Sequence, residues 1–130
     1  VGALAIELGL EERMAPRCAE VVRKILRHPI LDEVRGAGEH WKEVPFAFHD
    51  RGRVVHGVID LCFPVDAARE RWVVVDYKSD LPPEGDPVRA RYERQVALYA
   101  KAVLETVAPC EDVRAELVGP YEELEPASDR

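Results

Sequence analysis

In the stretch WVVVDYKSD, residues 72–80, an apolar run is followed by Asp76 and Lys78, two residues apart, and GVIDL, residues 57–61, carries Asp60. In an extended chain, Val74, Asp76 and Lys78 share one side while Val73, Val75 and Tyr77 share the other. By the same alternation Ile59, Leu61 and Phe63 share a face and leave Asp60 on the opposite one. Antiparallel pairing through a turn at Pro64 to Arg71 then sets Asp60 beside Asp76, with Lys78 one step beyond. Two bare carboxylates at close range in a partly desolvated site repel each other. A divalent cation relieves that repulsion. Hard oxygen ligands suit Mg²⁺ or Mn²⁺, and Mg²⁺ uses one or two carboxylates, several waters and substrate phosphate oxygens. Such a cation acidifies bound water and steadies charge on a phosphate under attack. Lys78 is placed to orient or deprotonate that water, so these residues best serve phosphodiester hydrolysis. Taken alone, Asp76 and Lys78 also read as a surface ion pair at a loop mouth. Asp60 on the neighbouring strand, and Glu43 ahead of Pro45 on the first strand, shift the balance toward chemistry.

The elements that must position these groups follow from pattern. APRCAEVVRKILRHP, residues 15–29, has Cys18, Val21, Val22, Ile25 and Leu26 at helical spacing, with Pro16 in a first turn and Pro29 as a stop. Trp41 to Phe48 reads as a strand, HDRGR as a turn around Gly52, and VVHGVIDLCF as the second arm of a hairpin. Trp72 to Lys78, the most apolar strand, is expected at the centre of the sheet. After the proline-rich loop LPPEGDP, Asp86 reads as a helix cap and Pro87 as the first helical residue. Val88, Tyr92, Val96, Tyr99 and Val103 form the apolar stripe of a long helix reaching about Val107. VRAELV is a last short strand, ended by Gly119-Pro120. The predicted order α-β-β-β-α-β describes an α/β domain with a mixed central sheet flanked by helices.

On the helix, Gln95 falls three residues after Tyr92 and four before Tyr99, at the border of the stripe, and so faces inward. It reads either as a functional side chain or as one bonded to nearby backbone. Tyr99 reads equally as a core aromatic with its hydroxyl at the surface or as a DNA contact.

Composition bounds the rest. The chain has 130 residues, 47% of them hydrophobic, the size of one domain with a single core. It contains no apolar run of membrane-spanning length and no basic-then-apolar leader, so no membrane association is expected. Its 3 cysteines, Cys18, Cys62 and Cys110, are far apart and lack a C-x-x-C pair, which argues against a disulfide framework or zinc knuckle and for a reducing cytoplasm. The start at Val1 and the acidic tail from Tyr121 suggest a piece of a longer protein. A net charge of −7 argues against holding nucleic acid by bulk electrostatics. Basic residues nonetheless gather at Arg13 to Arg27 and in RARYERQ, either as solvated helix faces or as a local basic strip.

KEVPF, GVIDL, VVDYKSD and QVALYA, in this order and spacing, resemble the motifs of PD-(D/E)XK nucleases of the RecB type. The likeness spans roughly Trp41 to Ala102 and is closest to the C-terminal nuclease domain of AddA and RecB helicase-nucleases. The resemblance implies a restriction-endonuclease-like fold, with Asp60 and Asp76 as metal ligands and the Tyr77 carbonyl as another. It makes Lys78 the catalytic lysine, and Gln95 with Tyr99 the helix motif lying over the active site. Glu43 matches the acid ahead of the family's proline, with an indirect role supporting the metal or Lys78. The implied activity is that of a Mg²⁺- or Mn²⁺-dependent exodeoxyribonuclease in double-strand break processing and recombinational repair, in the bacterial cytosol or nucleoid. The implied partners are single-stranded DNA or duplex ends, helicase domains of the same polypeptide, where alone ATP is used, and a second helicase-nuclease subunit. On this reading residues 1–130 form one nuclease domain: a helical lead-in over 1–40, a catalytic core over 41–119 and an acidic tail over 120–130.

Two departures stand out. Relatives carry a histidine on a helix before the first strand, in a pattern like G-x-x-x-H-x-x-L-E, whereas VGALAIELGLEER has none; either that helix lies upstream of Val1, the expected case, or the site lacks this ligand. His28, His40, His49 and His56 do not stand where that ligand should, and structural roles are expected for them. Nor is there a cysteine quartet for an iron-sulfur cluster, and Cys62 reads as a small buried side chain. The competing reading is a nuclease-like module that no longer cuts and instead binds DNA or braces a helicase partner. Intact Asp60, Asp76 and Lys78 argue against it.

Overall fold

Arg51 and Gly52 both take positive φ, 50° and 80°, the two-residue turn whose twist suits a hairpin, and they join β1 (Trp41–Asp50) to β2 (Arg53–Pro64). The structure is a computed structural model that describes residues 19–120. Ahead of the hairpin lie α1 (Ala19–Leu26) and α2 (Ile30–Ala37); after it come β3 (Arg71–Tyr77), α3 (Pro87–Thr106) and β4 (Asp112–Val118). Cys18, the 1–13 stretch and the tail from Tyr121 lie outside the described residues. Among the described residues no helix is long and apolar enough to cross a membrane.

The order therefore has one more helix than expected. Pro29 does stop α1, but a proline that ends one helix also suits the start of the next, and here it caps α2. His28 supports that start by accepting a hydrogen bond from the Ile30 N–H at Nδ1, 3.1 Å away. Burial holds the His28 pKa below its ordinary value, against Glu116 and Glu33, which raise it. A depressed histidine stabilises the fold above its unfolded pKa of about 6.5 and loses that contribution as pH falls, because the unfolded chain takes the proton first. The stability gap between wild type and His28→Ala, measured as urea midpoints, is therefore expected to shrink from pH 7.5 to 5.5. A gap constant across that range would show that the neutral ring is not what supports α2.

The sheet has the order β1-β2-β3-β4. The first three strands pair antiparallel, and β3 pairs parallel with β4 after α3 carries the chain back. Pro45 is tolerated because β1 is an edge strand. α1 and α2 cover one face, where Val22, Ile25, Leu31 and Val34 pack with Leu61, Phe63, Val73, Val75 and Tyr77. α3 covers the other through Val96, Tyr99 and Val103, against Cys62, Trp72 and Val74. This is an α/β fold with a mixed central sheet between helices, matching a restriction-endonuclease-like core. Asp86 caps α3 as expected, its side chain accepting from the Val88 N–H at 2.8 Å with Pro87 next in line.

Alternation holds along β3 but fails along β2. Ile59 packs with Cys62 under α3, not with Leu61 and Phe63. The cause lies across the ladder: pairing runs Lys42↔Leu61 and then Val44↔Ile59, skipping Glu43, whose φ is +51°. That residue re-aims both strands. The far half of the hairpin consequently leans on α3, where Phe46 meets Tyr99 edge-on with centroids 5.5 Å apart and Lys101 pairs with Asp50. Gly57, opposite Phe46, makes the approach possible, since a Cβ there would stand 2.9 Å from the Phe46 ring. Gly57→Val is expected to cost about 1–3 kcal/mol through overpacking, read as a lowered urea midpoint.

Candidate active site

The site forms where β3 ends. The Lys78 N–H donates to the Val118 carbonyl at 2.9 Å, which carries the β3–β4 pairing one residue past Tyr77 and fixes the Lys78 backbone. On the other side Leu61 opposes Val75, so the next position in that register sets Asp60 against Asp76. The Asp60 Oδ2 accepts from the Tyr77 N–H at 2.8 Å, tying the two strand ends together. Both carboxylates are deeply buried, with Asp60 3% and Asp76 1% exposed. Burial of this degree is costly for a carboxylate without partners.

Asp76 faces Lys78, whose Nζ lies 3.1 Å from its Oδ2, the two side chains being 2% and 18% exposed. That contact is an ion pair without hydrogen-bond alignment, so Asp76 Oδ2 is a buried acceptor that receives no hydrogen bond from the described residues. The lysine itself is held from α3. Its Nζ donates to Gln95 Oε1 at 2.9 Å and sits 4.2 Å over the centre of the Tyr92 ring. The Gln95 Nε2 in turn donates to the Tyr99 hydroxyl at 2.9 Å, one helical turn along. A continuous polar chain thus runs from Asp76 through Lys78 and Gln95 to Tyr99, in the α3-facing layer.

The structure brings Asp60, Asp76, Lys78, Gln95 and Tyr99 together. Gln95 serves side chains rather than backbone, and Tyr99 is both a core aromatic and the partner of Gln95. Tyr77 buries its ring against α1 and α2 and touches Asp60 through its N–H. Glu43 is not gathered in: it is exposed, at the skipped position of the β1–β2 ladder, and makes no hydrogen bond or ion pair among the described residues. His49 and His56 lie exposed on the outward face of the hairpin, opposite Val54 and Ala47. Tyr92 is the residue that pattern reading missed, because helical spacing marks it only as part of an apolar stripe. Its place three residues before Gln95, on the face turned to Lys78, was the available signal.

The donor set suits a hard divalent cation of the kind that takes one or two protein carboxylates and otherwise water, and Asp76 Oδ2, an acceptor without a hydrogen bond among the described residues, is an oxygen of that kind. Among the described residues no three His, Cys, Asp or Glu side chains are grouped so as to hold a metal. A family model described as the PD-(D/E)XK nuclease superfamily matches residues 4–127. No curated protein matches the chain.

Proposed function

The chain belongs to the PD-(D/E)XK nuclease superfamily, and from that membership we propose that it hydrolyses DNA phosphodiesters as the nuclease module of a RecB-type helicase-nuclease. The observation that carries the reading is the buried, undonated Asp76 Oδ2 beside Lys78, with Asp60 across the strand pair. Asp60 and Asp76 would hold Mg²⁺ or Mn²⁺, with the Tyr77 carbonyl as a further ligand. Such an ion lowers the pKa of bound water and offsets charge on the phosphate.

The protein's own contribution is rigidity and charge placement. Asp60 is fixed by the Tyr77 N–H, and Asp76 by a strand paired on both sides. Lys78, steadied by Gln95, presents its ammonium where it can orient an attacking water or bind a phosphate oxygen. Glu43 stands at the position opposite Asp60 and would act on the site indirectly. The order of the four motifs supports the RecB or AddA type, in which helicase domains of the same polypeptide use ATP to deliver single strands or duplex ends. Delivery of this kind reconciles DNA cutting with a net charge of −7. Free thiols at Cys62 and Cys110 suit a reducing cytosol.

The test is to incubate the chain with linear single-stranded and duplex DNA, with Mg²⁺, Mn²⁺ or EDTA. Cleavage that requires either cation and stops with EDTA is the expected result. DNA binding with no cleavage under any of these conditions would instead mark a non-cutting module that braces a helicase partner.

A further inference from the structure

Lys78 leaves β3 toward α3, and the ring beneath its ammonium comes from Tyr92, outside the Gln95–Tyr99 pair. An ammonium has three N–H directions and no acceptor. One is donated to Gln95 Oε1, while the Asp76 carboxylate, 3.1 Å from Nζ, is a charge partner without hydrogen-bond alignment. With Nζ 4.2 Å from the ring centre, the face of Tyr92 is a further partner of the ammonium. We propose that Tyr92 is a positioning residue for Lys78, whose π face keeps the ammonium beside Asp76; the proposal rests on the nuclease reading.

Three features carry this. The contact is well inside the range of about 6 Å over which a ring quadrupole attracts a cation, and Lys78 is only 18% exposed, so water competes weakly for it. The four-carbon stem of lysine is flexible, so two polar contacts at its tip leave the head free to swing about them. A ring face is also the partner most easily given up: it accepts no full hydrogen bond, so the ammonium can turn an N–H to a water or phosphate oxygen while the Asp76 ion pair and the Gln95 hydrogen bond keep their hold. The role belongs to the ring and not to the phenol hydroxyl, which makes phenylalanine a faithful replacement and leucine a poor one.

The experiment compares Tyr92→Phe and Tyr92→Leu in steady-state cleavage of linear DNA with Mg²⁺, together with NMR of the Lys78 ε-methylene. Loss of a partly desolvated cation–π contact predicts a kcat lower by roughly 10-fold in Tyr92→Leu with KM little changed, and near-normal kcat in Tyr92→Phe. The ε-methylene protons should show an upfield ring-current shift in wild type and Tyr92→Phe that disappears in Tyr92→Leu, with all three proteins folded. Unchanged kcat in Tyr92→Leu, or equal losses in both variants, would overturn the assignment. Should wild type fail to cut, the nuclease reading falls, and the NMR shift still decides the contact: present only with an aromatic ring it stands, absent in wild type it fails.

Discussion

Asp76→Asn is expected to lower DNA cleavage by about 10³-fold and to abolish the thermal stabilisation that Mg²⁺ gives the wild-type chain. The first effect follows from losing a ligand to an ion that supplies several kcal/mol of transition-state charge stabilisation, where each 1.36 kcal/mol is about tenfold in rate. The second follows from linkage: an ion that binds the folded state alone stabilises it, by about 2.7 kcal/mol at a hundred times its Kd, which is about ten degrees in a domain of this size. Asparagine keeps the shape of the side chain and removes its charge at a position 1% exposed, so packing changes little. Thermal scans with and without Mg²⁺ read the binding separately from the cutting. Equal Mg²⁺ shifts in wild type and variant would remove Asp76 from the ligand set.

Lys78→Met is expected to give a different signature. Cleavage falls by at least about 10²-fold, as for loss of a group that orients or deprotonates the nucleophile. The metal-free protein is also destabilised, by about 3 kcal/mol, because the buried Asp76 carboxylate loses the ammonium 3.1 Å away. Mg²⁺ should then stabilise Lys78→Met more than it stabilises wild type, since the ion supplies the missing positive charge, yet activity does not return. Urea midpoints in EDTA and in Mg²⁺ measure this directly. A variant as stable as wild type in EDTA would mean that the ion pair contributes nothing to the fold.

Much of this arrangement was legible in the residues. The alternation along β3 assigned Asp76 and Lys78 to one face correctly because β3 is flanked by β2 and β4 and its ladder is unbroken. The hairpin turn and the Asp86-Pro87 helix start are local chemistry, and local chemistry is what a sequence states most directly. Ile59 was placed on the wrong face because strict alternation presumes an intact ladder, whereas the positive φ of Glu43 on the neighbouring strand interrupts it. α2 was hidden by Pro29, which reads as a stop from one side and as a start from the other. Tyr92 escaped because its partner arrives from β3, and a ring that meets a cation looks, in sequence, like one that meets a core.

The break in the ladder at Glu43 has a consequence for anyone hoping to transplant this chemistry. Tyr99 receives Phe46 from β1 and Gln95 from its own helix, so one ring adjoins both the hairpin whose other strand carries Asp60 and the clamp on Lys78. Grafting two aspartates and a lysine onto a flat, straight sheet would reproduce the letters of the motif and lose its alignment. The smallest portable unit is the hairpin with its interrupted ladder together with the helix it packs on.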